Sequence, residues 1–180
     1  MYGIVNKSIE DLVIANFGRE KWEAVHKRSG VDIDFFLSNE IYDDAVTFKI
    51  ATAVSEEMNM TLSEVLISFG EWWVVKTTKE KYPGLMESGG NNLRDFLINL
   101  PNFHNRVMLI YPKLTPPEFK VSDVSAKGLN LHYFSKREGL QDFVRGIIQG
   151  LGIVYETPVV LELIQSRNEG SSHEIFKVNW

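Results

Sequence analysis

Between Leu97 and Tyr111 the apolar residues Leu97, Leu100, Val107, Met108 and Tyr111 recur at helical spacing, and His104 falls on the same face. A helical period runs through most of the chain before this stretch. Val5, Ile9, Leu12 and Val13 form a stripe in a helix from Tyr2 to about Phe17, which Gly18 ends, and Arg19 to Lys27 forms a second helix stopping near Ser29-Gly30. Val31 to Ile41 reads as a connector with Phe35, Phe36 and Leu37 turned inward. Asp43 can cap a third helix with the stripe Val46, Ile50, Ala53 and Val54. Thr61-Leu62-Ser63-Glu64 is a capping box, followed by Leu62, Val65, Leu66, Phe69 and Trp73 on the buried side.

Tyr82-Pro83-Gly84 and Gly89-Gly90 interrupt the pattern, and Asn91 or Asn92 starts a new helix with Leu93, Phe96, Leu97 and Leu100 in register. Proline is best tolerated at a helix start, where its missing N–H is no loss. Pro101 therefore predicts a break or kink at Leu100-Pro101, with His104 in or just beyond the first turn of a fresh helix.

After Thr115-Pro116-Pro117 the period falls to 2. Glu118 to Ser125 and Leu129 to Lys136 read as a hairpin joined by Ala126-Lys127-Gly128. Glu138 to Gly152 returns to helix, and Ile153 to Gln165 and Glu174 to Trp180 are strand-like around the polar loop Ser166 to His173. The order predicts an α+β fold: an N-terminal helical lobe followed by helices packed on a small four-stranded antiparallel sheet. We expect one domain over 1–180, with lobes at about 1–60 and 61–180.

Composition narrows the chemistry. The chain has no cysteine, which excludes a disulfide framework, Cys-ligated zinc, iron–sulfur clusters, thiolate catalysis and covalent haem attachment, and fits a reducing compartment. The net charge of −5 is spread along the chain, with no basic face for nucleic acid. No apolar run approaches the ~20 residues of a membrane span, and the N-terminus lacks a signal-peptide pattern. The expectation is a cytoplasmic protein.

His104 has two readings. An imidazole facing a dry interior is a good ligand for a metal or a haem iron, or it is a core histidine satisfied by a carbonyl and a water. A second constellation bears on the choice. In LNLHYFSKR, alternation puts Leu129, Leu131, Tyr133, Ser135 and Arg137 on one face. A phenol, a hydroxyl and a guanidinium in a row suit an anionic group with two carboxylates, such as the propionates of a haem; the alternative is a polar edge with an ordinary arginine. His104 and this row could grip opposite ends of one macrocycle. His26, His132 and His173 lack metal-like spacing and read as surface or structural, and the pairs Asp43-Asp44 and Glu56-Glu57 read as helix caps or decoration.

With MYGIVNK, IYDD, FGEWW, NLPNFH, IYPKLTPPEF, LHYFSKREGLQD and QSRNEG-SSH in this order, the chain resembles the haem nitric oxide/oxygen-binding (H-NOX) domain. This sensor module occurs in bacteria and at the N-terminus of the soluble guanylate cyclase beta subunit. The resemblance covers essentially the whole chain. It implies a non-covalent haem b between the lobes, His104 as its axial ligand, Tyr133, Ser135 and Arg137 on the propionates, and Pro117 pressing on the macrocycle. It implies a non-enzymatic sensor of nitric oxide, with carbon monoxide as a second ligand. Signalling would start from weakening of the iron–histidine bond and pass in trans to a histidine kinase or cyclic-di-nucleotide enzyme, or to an output domain in a longer parent chain. Many relatives carry an acidic residue where Pro101 stands, so Pro101 is a candidate tuner of that bond.

Oxygen-binding relatives keep a distal tyrosine that matches Phe143 here. Phe143 has no donor, so the expected distal wall of Ile4, Trp73 and Phe143 largely excludes oxygen. Three other readings stay open: an oxygen sensor using the Trp73 indole N–H, a haem-dependent enzyme such as a peroxidase, and a haem-free interaction module.

Overall fold

The first helix begins against a backbone cradle. The computed structural model describes residues 1–180, and α1 spans Gly3–Phe17. The first N–H groups of a helix have no partner inside it. Here Gly3 and Ile4 donate to the carbonyls of Glu40 and Ser38, at 2.8 and 3.3 Å. A side chain at position 3 would meet the Leu37 carbonyl oxygen at 2.2 Å, so glycine permits this approach. The connector 31–41 therefore serves α1 with its backbone. Of Phe35, Phe36 and Leu37 only Phe36 is buried, while the other two face outward, contrary to the expectation of three inward residues.

Helices α2 (Arg19–Ser29) and α3 (Asp44–Met58) pack on α1, and the Asp43 side chain caps α3 by accepting from the Ala45 N–H at 2.8 Å. α4 (Leu62–Trp72) opens with the expected capping box. Leu62 lies exposed at its first turn, outside the stripe that Val65, Leu66 and Phe69 bury. α4 continues into a π-helical segment over Trp73–Thr78, in which Thr78 Oγ1 donates to the Trp73 carbonyl at 2.8 Å. Such wide turns are uncommon and cluster at functional sites. The short helices α5 (Lys79–Lys81) and α6 (Pro83–Glu87) follow.

α7 runs unbroken over Leu93–Ile110 with Pro101 inside it, so His104 lies well within a long helix and no fresh helix begins at Pro101. An interior proline costs about 3 kcal/mol or more. Its ring faces solvent here, and burial of Leu93, Phe96, Leu97, Leu100 and Phe103, each worth roughly 1.5–3 kcal/mol, outweighs the loss.

β1 (Glu118–Ser122) and β2 (Gly128–Phe134) form an antiparallel hairpin, with Phe119 opposite Tyr133. β2 ends at Phe134, so Ser135 and Arg137 lie past the strand. α8 (Gln141–Val154) starts three residues later than expected and extends over Ile153 and Val154. β3 (Val160–Gln165) and β4 (Glu174–Asn179) complete a four-stranded antiparallel sheet in the order β1-β2-β4-β3. The architecture is α+β as expected. One apolar core joins α1 to α4; another joins α7, α8 and the sheet. Trp73 packs against both. No helix is long and apolar enough to cross a membrane.

Candidate functional site

A cavity of about 270 Å³ runs between the two cores, and 27 of its 35 lining residues are hydrophobic, which suits a large apolar guest. Its walls come from α1, α3, α4, the π-helical segment, α7, the turn before β1, the hairpin and α8. His104, Tyr133, Ser135, Arg137, Pro117, Ile4, Trp73 and Phe143 all line it.

His104 projects from α7 into a dry environment. Burial pushes its pKa down to about 4, so the ring is neutral at pH 7 and keeps a lone pair for a ligand bond. Its Nδ1 is buried with no hydrogen-bond partner. An ordinary core histidine would have found one. The ring stacks on Phe119 (centroids 5.4 Å apart, planes at 23°), and Phe119 in turn lies 5.4 Å from the Tyr133 ring. Phe119 therefore links the imidazole to the strand-borne donors, a role that its strand alternation alone did not reveal.

At the polar end, burial pushes the Tyr133 hydroxyl pKa up, so it remains a donor. Ser135 Oγ accepts from the Arg137 backbone N–H at 3.0 Å, and its hydroxyl also hydrogen-bonds with the Tyr133 phenol, which offsets part of the rise that burial causes. Arg137 donates from Nε to Asp44 Oδ2 at 2.6 Å and from Nη1 to the Thr115 carbonyl at 2.9 Å. These bonds use two of its five N–H donors. Asp44 also accepts from the Met1 amino group at 2.6 Å. Burial alone would raise the Asp44 pKa, but the bonds from Met1 and Arg137 outweigh it and hold the pKa below the usual carboxylate range. Asp44 thus ties the start of α3 to the donor row, more than the helix decoration expected of it. Glu57 pairs with Lys21 and Arg28 on the surface, as a solvated carboxylate should.

Two further hydroxyls join the site, one of them on the helical face of His104. Tyr82 and Tyr111 line the cavity and hydrogen-bond to each other, and the Tyr111 ring packs edge-on against Tyr2 at 4.7 Å. Burial and the Tyr82 contact push the Tyr111 pKa up. The tyrosines lie 29 residues apart, beyond any local pattern. The other histidines are structural: His26 Nε2 contacts the Ile33 carbonyl at 2.8 Å, and His132 sits between Ser122 and His173 on the far face of β2.

Comparison with known proteins agrees with this geometry. The family model described as Haem-NO-binding matches residues 2–163. Among curated relatives, soluble guanylate cyclase gcy-31 of Caenorhabditis elegans is 28% identical across 100% of this chain, which covers 26% of its length. Gcy-32 of the same organism is 29% identical across 96% of this chain, again covering 26% of its length. The chain thus spans about a quarter of these relatives. An H-NOX protein from S. oneidensis, solved in the Fe(II)NO ligation state, superposes with a TM-score of 0.90 at 18% identity, over 99% of this chain and 98% of that one. An unliganded Fe(II) H-NOX protein from K. algicida gives 0.84 at 23% identity, over 99% and 96%. The structural likeness establishes the fold, and the family match extends over most of the sequence: this chain belongs to the haem-NO-binding family.

Proposed function

We propose that the cavity holds a non-covalent haem b and that the chain is a sensor of nitric oxide, with carbon monoxide as a second ligand and oxygen largely excluded. The observation that carries this is His104: a neutral imidazole with an orphaned Nδ1, set in an apolar cavity whose other end carries three donors. One imidazole among apolar walls, with hydroxyl and guanidinium donors lining the same cavity, matches a large apolar group that brings its own metal ligands and carries carboxylates, as haem does. The residues present fit that group.

When bound, ferrous haem supplies a metal centre with an open position for a diatomic gas. His104, on α7, would hold the iron. Tyr133, Ser135 and Arg137 would bind the propionates, and Pro117 would contact the macrocycle. Ile4, Trp73 and Phe143 would line the space for the gas. We read residues of about 1–60 as one lobe and 61–180 as the other. Trp73 at their junction, and the Asp44–Arg137 contact, are suited to pass a shift in one lobe to the other. The chain itself acts without catalysis, handing its signal to a histidine kinase, a cyclic-di-nucleotide enzyme or an output domain such as a guanylate cyclase.

The apolar Phe143 favours nitric oxide and carbon monoxide over oxygen, because a bound oxygen with partial negative charge gains most from a nearby donor. Absorption spectra of the ferrous protein test this: distinct changes are expected with nitric oxide and with carbon monoxide, and no stable oxygen complex in air. A stable oxygen spectrum would overturn the selectivity and favour the second reading, in which the Trp73 indole N–H supplies the donor. A companion variant locates the determinant. Phe143→Tyr should raise oxygen affinity ten- to a hundredfold, since a hydrogen bond to a charged acceptor is worth about 1.5–3 kcal/mol. An unchanged oxygen equilibrium in that variant would remove Phe143 from the gas-binding wall.

A further inference from the structure

The donor row Tyr133, Ser135, Arg137 outlasts its strand: β2 ends at Phe134, so the sheet ladder does not hold its last two members. A loop in that position needs another source of order if its donors are to meet a ligand without loss of entropy. The structure supplies one from the far side.

Arg167 sits in the 3₁₀ turn Arg167–Glu169, whose start the Ser166 side chain caps. Its Nε lies 2.7 and 2.9 Å from the two oxygens of Glu174, the first residue of β4. Its Nη1 donates to the Ser135 carbonyl at 2.7 Å, and its Nη2 donates to the Arg137 carbonyl at 3.1 Å. The guanidinium also lies 5.9 Å from the centre of the Tyr133 ring. One side chain thus touches all three members of the row, on their backbone or ring and away from their donor atoms. The Glu174 side chain is 4% exposed and that of Arg167 19%. A buried ion pair is retained at a desolvation cost and is weak evidence for stability alone. This pair is aimed at the loop carbonyls: the planar fork gives one nitrogen to each carbonyl while the third holds Glu174.

We propose that Arg167, oriented by Glu174, is a positioning residue that sets the Ser135–Arg137 loop and the Tyr133 ring for binding a dicarboxylate ligand. This rests on the reading of the row as the propionate site. Arg167 does not contact the ligand. It acts through the row, and its effect should shrink as members of the row are removed.

The test is the rate of haem loss from the holoprotein to excess apomyoglobin, followed by absorption, in wild type, Arg137→Ala, Arg167→Met, Arg167→Lys, Glu174→Gln and the double variant Arg137→Ala/Arg167→Met. Arg167→Met is expected to speed loss roughly tenfold, the worth of one charge-assisted hydrogen bond. Arg167→Lys and Glu174→Gln should fall between it and wild type, and they answer the question if the methionine variant does not fold. In the double variant the Arg167→Met effect should fall well below its tenfold, because one of the three row members it orders is already gone, whereas a general loss of stability would multiply the two effects in full. Multiplied effects, or an unchanged rate in all three Arg167 and Glu174 single variants, would overturn the proposal. If Arg137→Ala is also without effect, or the protein takes up no haem, the propionate reading fails first and this inference falls with it.

Discussion

Gly146→Ala should destabilise the protein by about 3 kcal/mol, the upper end for overpacking a close-packed site. α8 meets α4 through glycines on both sides. A Cβ at position 146 would sit 2.0 Å from the Ile67 carbonyl oxygen and 3.0 Å from the Glu71 nitrogen, and one at position 70 would sit 2.2 Å from the Phe143 carbonyl oxygen. Those obstacles are backbone, which cannot swing aside as a side-chain tip can. Relief requires the helices to separate, and Phe143 of α8 would lose its packing against Phe69 of α4, whose ring centroid lies 4.9 Å away. The better helix propensity of alanine returns only roughly 0.5–1 kcal/mol. Denaturant unfolding should show a lower midpoint with the slope unchanged. Gly84→Ala is the control, because nothing lies within 4 Å of its would-be Cβ; it should stay within about 0.5 kcal/mol of wild type. A Gly146→Ala protein as stable as that control would mean the helices do not approach so closely. Phe143 and Ile147 line the cavity from this helix, so the same contact fixes the wall of the site.

Local pattern carried much of this organisation. The capping box at Thr61–Glu64 and the cap at Asp43 are short-range chemistry, legible three residues at a time, and both occur. The period change after Pro117 marked the passage from helix to hairpin. The helical face of His104 and the alternation through Tyr133 were legible because regular elements translate spacing into direction.

What was missed depended on distance or on competition. The local preference of Pro101 is for a helix start, yet tertiary burial along α7 carries the helix through it. The π-helical segment at Trp73–Thr78 has no periodicity distinct from an α-helix at six residues. Phe35 and Leu37 looked like core because they are large, but that connector spends its backbone on capping α1. Arg167 falls in the polar loop 166–173 and Glu174 opens the last strand, and only the pairing of β2 with β4 brings them behind the donor row. Phe119, Tyr82 and Tyr111 were ordinary apolar or aromatic positions until the fold put them around one cavity. The sequence thus marked the candidate ligand residues, while their supports come from elements far apart in the chain.

His104→Gly shows whether this imidazole holds a haem in the cavity. The imidazole is the ring aimed from α7 into the apolar space with an unpartnered Nδ1, and glycine leaves a gap of its size beside Phe119. Glycine within a helix also costs roughly 1 kcal/mol, so folding should be checked alongside. The absorption spectrum of the ferrous variant should lose the histidine-ligated form seen in wild type. Added imidazole should restore it by occupying the gap, which separates ligand loss from a collapsed fold. A wild-type spectrum in His104→Gly without imidazole would contradict the account.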